Sequence, residues 1–188
     1  MKNFIVGISN SKSIKYLPRI LSPLWFILYC LLYFMPRNRK NWIFGSGVGM
    51  NFSDNAKYLF LYCSLEKDIN CYWITKNKSL LERLRSDGLK AYYKYSIMGV
   101  WLSVSSKVYV YDSRTGSINH WTSAGAYKVS LWHGSPLKTI DRDIIVKHNA
   151  FYIGNHTWGL KRYFVRMVMP EWFVVADLMI ATSEKVKG

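Results

Sequence analysis

Six short apolar runs alternate with stretches of helical pattern along most of this chain, and that alternation constrains its fold more than any other feature. The runs are Asn41–Gly45, Cys71–Thr75, Lys90–Tyr93, Lys107–Asp112, Tyr127–Trp132 and Leu178–Ala181. Between the first two, a helix is predicted from Asp54 to about Glu66, with Ser53 as its cap and Asp54 and Asn55 in its positive first turn. A second helix runs from about Ser79 to Ser86 and stops at Asp87-Gly88, and a third spans Ile97–Val104. Continuous apolar strands separated by helices belong to a parallel sheet buried on both faces. The expected class is therefore α/β, with helices on both faces of the sheet. No internal repeat or low-complexity linker interrupts it.

Ligands of such sheets bind beyond the carboxyl ends of the strands. Chemistry is therefore sought in Gly45–Ser53, Thr75–Lys78, Asp112–Gly116 and His133–Lys138. The last segment, His133-Gly134-Ser135-Pro136-Leu137-Lys138, follows directly on a strand. His133 emerges there at the ligand edge. Gly134 lets the backbone turn without a Cβ in the way, and Pro136 can open a helix at its first position. Backbone N–H groups at such a start, with Lys138 nearby, hold a phosphate. A histidine beside a phosphate site can take the proton of an attacking hydroxyl. A hydrogen-bonded structural histidine is the plainer role, and the strand-loop-helix context is what raises His133 above it.

Ser53, Asp54 and Asn55 serve a helix start, and their place at the same edge makes them site candidates as well. The loop Gly45-Ser46-Gly47-Val48-Gly49 lacks the G-x-G-x-x-G spacing of a dinucleotide fingerprint, so NAD and FAD are not expected. His120, His148 and His156 show no metal-ligand spacing, and no metal is predicted. Lys76 and Arg114 each follow a strand and can reach a polyphosphate, although solvated surface charge is the simpler role. Cys30, Cys63 and Cys71 are scattered, without metal or redox spacing, and read as small buried apolar residues of a reducing compartment.

The net charge of +15 calls for an anionic partner: lipid head groups, a phosphate-rich polymer or nucleic acid. From Ile20 to Met35 the chain is nearly all apolar, short of the roughly 20 residues of a spanning helix. Lys12, Lys15 and Arg19 precede it, and Arg37, Arg39 and Lys40 follow. Charge on both flanks favours a helix laid into one leaflet, its basic ends held by anionic lipid. A core helix is one alternative and a spanning helix the other. Trp158–Val175 interleaves Lys161, Arg162 and Arg166 with aromatic and aliphatic residues, a second membrane-interface pattern or an ordinary amphipathic helix. Residues 1–40 are thus expected to associate with the membrane and 41–188 to form the sheet domain.

Two blocks of this sequence, Asn41–Phe60 with its Ser53-Asp54-Asn55-Ala56-Lys57-Tyr58-Leu59-Phe60, and His133–Lys138, resemble the CDP-glycerol glycerophosphotransferase family of teichoic-acid primases and polymerases and their capsule-polymer relatives. Ser135 stands where that family more often has threonine, which keeps the hydroxyl. The resemblance covers roughly Asn41 to the end. It implies a GT-B-like pair of Rossmann-like domains, of which this chain carries the first, on the acceptor side. It implies that His133 is the catalytic base, and that Gly134, Ser135, Lys138, Ser53, Asp54 and Asn55 bind acceptor or phosphate. CDP-glycerol is the implied donor substrate, with no other cofactor, and a lipid-linked polymer the implied acceptor, at the cytoplasmic face of the cell membrane. The donor-binding half and a second histidine lie, in the family, beyond what this chain contains, so little transferase activity is expected from it alone.

A non-catalytic membrane module that docks on a separate donor half is the second reading. Nucleic-acid binding is the third, motivated by charge; the basic residues are spread through the chain and form no nucleic-acid motif.

Overall fold

Strand β1 (Asn38–Gly45) begins exposed and is fully buried by Ile43 and Phe44, because it runs into the middle of a sheet. The computed structural model describes residues 22–132, 159 and 174–180. Among these, β2 (Asn70–Thr75), β3 (Ala91–Tyr93), β4 (Ser106–Tyr111), β5 (Tyr127–Ser130) and β6 (Leu178–Met179) join β1 in the order β3-β2-β1-β4-β5-β6. Every strand pairing in it is parallel, as the apolar runs predict. The order reverses between β1 and β4, and that crevice is where a doubly wound sheet receives ligands. The chain divides into two units, residues 1–28 with 139–173 and residues 29–138 with 174–188; the sheet belongs to the second.

Helices α2 (Asp54–Cys63) and α3 (Lys78–Ser86) cover one face. Ala56, Phe60 and Cys63 recur at helical spacing on α2, as do Leu80, Leu81 and Leu84 on α3, and they close over Phe44, Trp73 and Val110 of the strands. The rings of Phe60 and Trp73 meet edge to face at 5.3 Å, and Phe44 and Phe52 join them. Such pairs add about 0.5–1.5 kcal/mol beyond their area. Helix α3 is well punctuated. Asn77 accepts from the Leu80 N–H at its start, and Arg83 and Arg85 suit its negative end. Gly88, at φ +77, lets Leu89 donate back to the Leu84 carbonyl at 2.9 Å, so the helix stops where Asp87-Gly88 predicts.

On the other face, α4 (Ile97–Ser105) sends Leu102 toward Ile43, Ile74 and Tyr109. This side depends on Arg37. Its guanidinium donates to the carbonyl oxygens of Ser103 and Ser106 (3.1 and 2.7 Å) and of Thr122 and Ala124 (2.6 and 2.5 Å). Tyr109, buried below, donates to the Ser103 carbonyl and shares a hydrogen bond with the Thr122 hydroxyl. Arg37 therefore stitches the end of α4 to the loop before β5. It is not one of the lipid-facing basic residues that its place beside the apolar run predicts, because four carbonyls gather around it.

Other expectations need adjustment. Strand β5 ends at Ser130, not Trp132, because Trp132 turns to φ +49. Helix α2 ends at Cys63 and not near Glu66, where the Ser64 hydroxyl takes the Phe60 carbonyl at 2.7 Å. Ser53 precedes α2 without capping it through its side chain. Asp54 enters the helix at φ +60, and the Ser53 hydroxyl meets Ser46 Oγ (3.1 Å) and Asp54 Oδ2 (3.1 Å) instead. Cys63 and Cys71 are buried as expected, and burial pushes the Cys71 thiol up to about 12. Cys30 is exposed, against expectation, on an exposed helix.

That helix is α1 (Ser22–Leu32), shorter than the apolar run it comes from. Leu24, Ile27 and Leu31 stand exposed, which the core-helix alternative does not expect. No helix among the described residues is long and apolar enough to cross a membrane.

Candidate functional site

The carboxyl ends of β1, β2 and β4 are tied together by the turn after β1. Gly47–Gly49 forms a single 3-10 turn in which Gly47, Val48 and Gly49 all have positive φ (51°, 55° and 79°). Two of these positions suit glycine; Val48 is a branched residue where few are found. The turn holds because its neighbours grip it. The Gly47 N–H donates to Asp112 Oδ2 at 2.9 Å, beyond β4. The Gly49 carbonyl accepts from Thr75 Oγ1 (2.9 Å) and the Lys76 N–H (2.8 Å), at the end of β2. Asp112 is buried, only 2% exposed, and its other oxygen takes the hydroxyls of Ser113 and Ser117 at 3.3 Å each.

Gly45, the last residue of β1, is packed so closely that a Cβ would lie 2.7 Å from the Ser117 carbonyl oxygen. The Ile118 side chain lies equally close, so only glycine fits at this strand exit.

Asn55 has a definite task. Its amide nitrogen donates to the carbonyl oxygens of Leu131 (3.3 Å) and Trp132 (2.9 Å). It fixes the backbone up to the residue before His133 and holds Trp132 in its left-handed conformation. Val48, Asp54 and Trp132 are the non-glycine residues with positive φ among the described residues, and all three sit at this edge. Each such residue costs about 1–3 kcal/mol, and strain of this kind gathers at functional sites.

Of the predicted site residues, the structure brings Ser53, Asp54 and Asn55 to the edge. His133, Gly134, Ser135 and Lys138 lie outside the described residues, as do His148, His156 and nearly all of Trp158–Val175. Lys76 serves the edge through its backbone. Arg114 precedes the turn Thr115–Ser117, where its carbonyl accepts from the Ser117 N–H at 2.9 Å. Beside the Gly47–Gly49 turn a cleft of about 410 Å³ opens toward the start of α3, lined by Met50, Asn51, Phe52, Asn77, Ser79 and Arg83.

Thr75 and Asp112 open two of the segments singled out in the sequence, but their role as anchors of the turn was not read there. Each is the polar residue that ends an apolar strand, KVYVYD and CYWIT, and that signal was available.

His120 belongs to the structure rather than the edge. It is 5% exposed, its ring stacks on Tyr29 at 5.4 Å, and Nδ1 pairs with Thr115 Oγ1 at 3.1 Å. Burial, with Lys128 nearby, pushes its pKa down to about 4. Among the described residues no cluster of three metal-ligating side chains occurs.

Residues 27–169 match the family described as CDP-Glycerol:Poly(glycerophosphate) glycerophosphotransferase. The chain belongs to that family. The glycerophosphotransferase match takes in β1 to β5, the Gly47–Gly49 turn and the His133–Lys138 block. A curated relative, the teichoic acid poly(glycerol phosphate) polymerase of Bacillus spizizenii (strain ATCC 23059 / NRRL B-14472 / W23), is 28% identical over 154 residues, covering 78% of this chain and 37% of the relative. Among solved structures, the wall teichoic acid polymerase TagF superposes with a TM-score of 0.58 at 18% identity, over 93% of this chain and 41% of TagF. That likeness speaks for the fold. The chain spans well under half the length of either polymerase.

Proposed function

We propose that this chain is the acceptor-side half of a glycerophosphotransferase that extends a poly(glycerol phosphate) polymer of the teichoic-acid type, within a GT-B-like architecture. Family membership supports the transferase class. The observation that carries the reading is local: Asn55 clamps two successive carbonyls immediately before His133, at the switch point of a parallel sheet. The His133–Lys138 block follows directly in sequence, and a sheet of this kind meets its ligand beyond the carboxyl ends of its strands.

In the proposed reaction His133 takes the proton of the acceptor's terminal hydroxyl. The oxygen attacks the glycerol-bearing phosphorus of CDP-glycerol, the P–O bond to CMP breaks, and CMP leaves with the bonding pair. Gly134, Ser135 and Lys138 steady phosphate oxygens, since phosphoryl transfer depends mainly on positioning and charge. Ser53 and Asp54 line the acceptor's approach. The donor, CDP-glycerol, is held by a separate half. A lipid-linked acceptor places the work at the cytoplasmic face of the cell membrane. The exposed apolar residues of α1 and the net charge of +15 support association with an anionic bilayer there.

The test is CMP release from CDP-glycerol in the presence of a lipid-linked glycerol phosphate acceptor. The chain alone should release none. With a donor-binding half supplied, release should appear and should vanish in His133→Ala. Undiminished release by His133→Ala sinks the assignment of the base, and release by the chain alone sinks the half-enzyme reading.

A further inference from the structure

The cleft of about 410 Å³ beside the Gly47–Gly49 turn is not the crevice between β1 and β4. It opens on the other side of β1, between the segment Met50 to Phe52 and the start of α3, which follows β2. Its volume falls in the range of small-molecule sites, roughly 300–1,000 Å³. Helix geometry explains why Arg83 joins its lining. Ser79 and Arg83 are one turn apart on one face of α3, and helical side chains lean toward the helix start. Arg85, on the same helix, is committed to the fold: its Nε donates to the Ala91 carbonyl at 3.0 Å, and its guanidinium lies 5.7 Å from the Tyr92 ring. Arg83 is exposed, and no described residue bonds its guanidinium. The helix start is already capped by Asn77, so the group that seeks an anion here is the Arg83 side chain.

The rest of the lining says what the cleft takes. The Asn51 amide packs against Gly47, where a Cβ would lie 2.5 Å from Nδ2, so the glycine of the turn leaves it room. Asn51 is exposed, and no described residue bonds its amide. The Ser79 hydroxyl donates to Asn77 Oδ1 at 2.8 Å and keeps its lone pairs. Such an amide and hydroxyl suit alcohol groups, and a free guanidinium suits a phosphate. Met50 and Leu80 give apolar wall for methylene groups, and no acidic side chain of the described residues lines the cleft. A nucleotide fits less well, because its base needs a ring to stack on. Phe52 is packed edge to face on Trp73 at 4.6 Å, with the Lys57 ammonium 5.6 Å from its ring.

We propose that this cleft is a subsite for a polyol phosphate unit of the acceptor, set back from the terminal hydroxyl. Arg83 holds the phosphodiester, and Asn51 and Ser79 hold a polyol hydroxyl. It rests on the reading of this chain as the acceptor half. In sheet order β2 stands three spacings from β5, the strand that His133 follows in sequence, which is about 14 Å at ~4.8 Å each. One glycerol phosphate is too short for that span, and a chain of several units is not. The subsite therefore makes affinity depend on acceptor length.

The test is titration calorimetry of the full chain with sn-glycerol 3-phosphate and with soluble, phosphodiester-linked glycerol phosphate oligomers of increasing length. Wild type is set beside Arg83→Gln and Lys67→Gln. Lys67 is an exposed cation before β2, at the opposite end of the sheet, and controls for charge alone. Wild-type affinity should rise with oligomer length. Arg83→Gln should bind the long oligomer roughly tenfold more weakly and lose the length dependence, with its urea midpoint unchanged, while Lys67→Gln binds as wild type does. Long-oligomer binding by Arg83→Gln as tight as by wild type overturns the subsite and leaves the acceptor-half reading standing. Equal losses in Arg83→Gln and Lys67→Gln reduce the effect to net charge and overturn it as well. Failure of wild type to bind any oligomer overturns both readings.

Discussion

The two faces of the sheet are held by different physics. Beneath α2 and α3 the contacts are aromatic and aliphatic: Phe60, Trp73, Phe44 and three leucines of α3, close-packed. On the α4 side a single guanidinium gathers carbonyls from two separate segments, Tyr109 bonds beneath it, and His120 is buried nearby. The first face resists loss of volume. The second resists loss of a donor and depends on protonation. The difference teaches that a helix need not bring a broad apolar stripe to a sheet, provided the carbonyls at its end are collected by a cation that cannot lose its charge.

The comparison breaks most readily through its largest expected effects. Phe60→Ala should cost about 3–5 kcal/mol in urea unfolding, by opening a cavity among rings that cannot collapse into it. A cost under about 1 kcal/mol means that the α2–α3 face is loosely packed and the contrast is false. Arg37→Lys keeps the charge and loses the fork. It should cost about 2–3 kcal/mol, because a point cation cannot serve carbonyls on both sides at once. Wild-type stability in that variant removes the second half of the comparison.

Protonation sharpens it further. His120 has a pKa lowered to about 4 in the fold, from an ordinary value of 6.5, by burial first and by Lys128 second. The unfolded chain therefore binds more protons than the folded one between these values. The stabilisation from keeping His120 neutral is complete above about 6.5 and is lost as pH falls toward 4. Wild type should lose on the order of 1–2 kcal/mol between pH 7 and pH 5 from this group. His120→Phe should flatten that part of the profile, while Phe60→Ala shifts it down without changing its slope.

The smallest effect on stability is expected at the ligand edge. Asn55→Ala should cost about 1 kcal/mol, the net worth of its two carbonyl contacts. With a donor half supplied, the same variant should lose more than tenfold in the rate of CMP release while the acceptor KM moves little. An equal loss in stability and in rate would make Asn55 merely structural.

Much of this was legible in advance, for reasons that can be named. The strands were readable because parallel strands buried on both faces are continuous apolar runs, and the end of α3 because Asp87-Gly88 marks its stop; its Asn77 cap was not read in advance. Asp54 and Trp132 were not, since nothing in local propensity announces a left-handed residue; the tertiary contacts of Ser53 and Asn55 impose it. Arg37 was misjudged because its sequence neighbours are exposed basic residues, whereas its partners lie more than sixty residues away. At the edge, the segments after β1, β2 and β4 come together as the sheet order requires, through the bonds of Gly47 and Gly49. The anchoring roles of Asp112 and Thr75 depend on a turn whose shape the sequence does not state.

The central claim is that this half recognises the acceptor and not the donor. Titration calorimetry of the chain with a soluble lipid-linked glycerol phosphate oligomer, set beside CDP-glycerol, tests it most directly. The account predicts saturable binding of the oligomer, weakened by salt and by Lys138→Gln, and no heat from CDP-glycerol. Saturable binding of CDP-glycerol with none of the oligomer would contradict it.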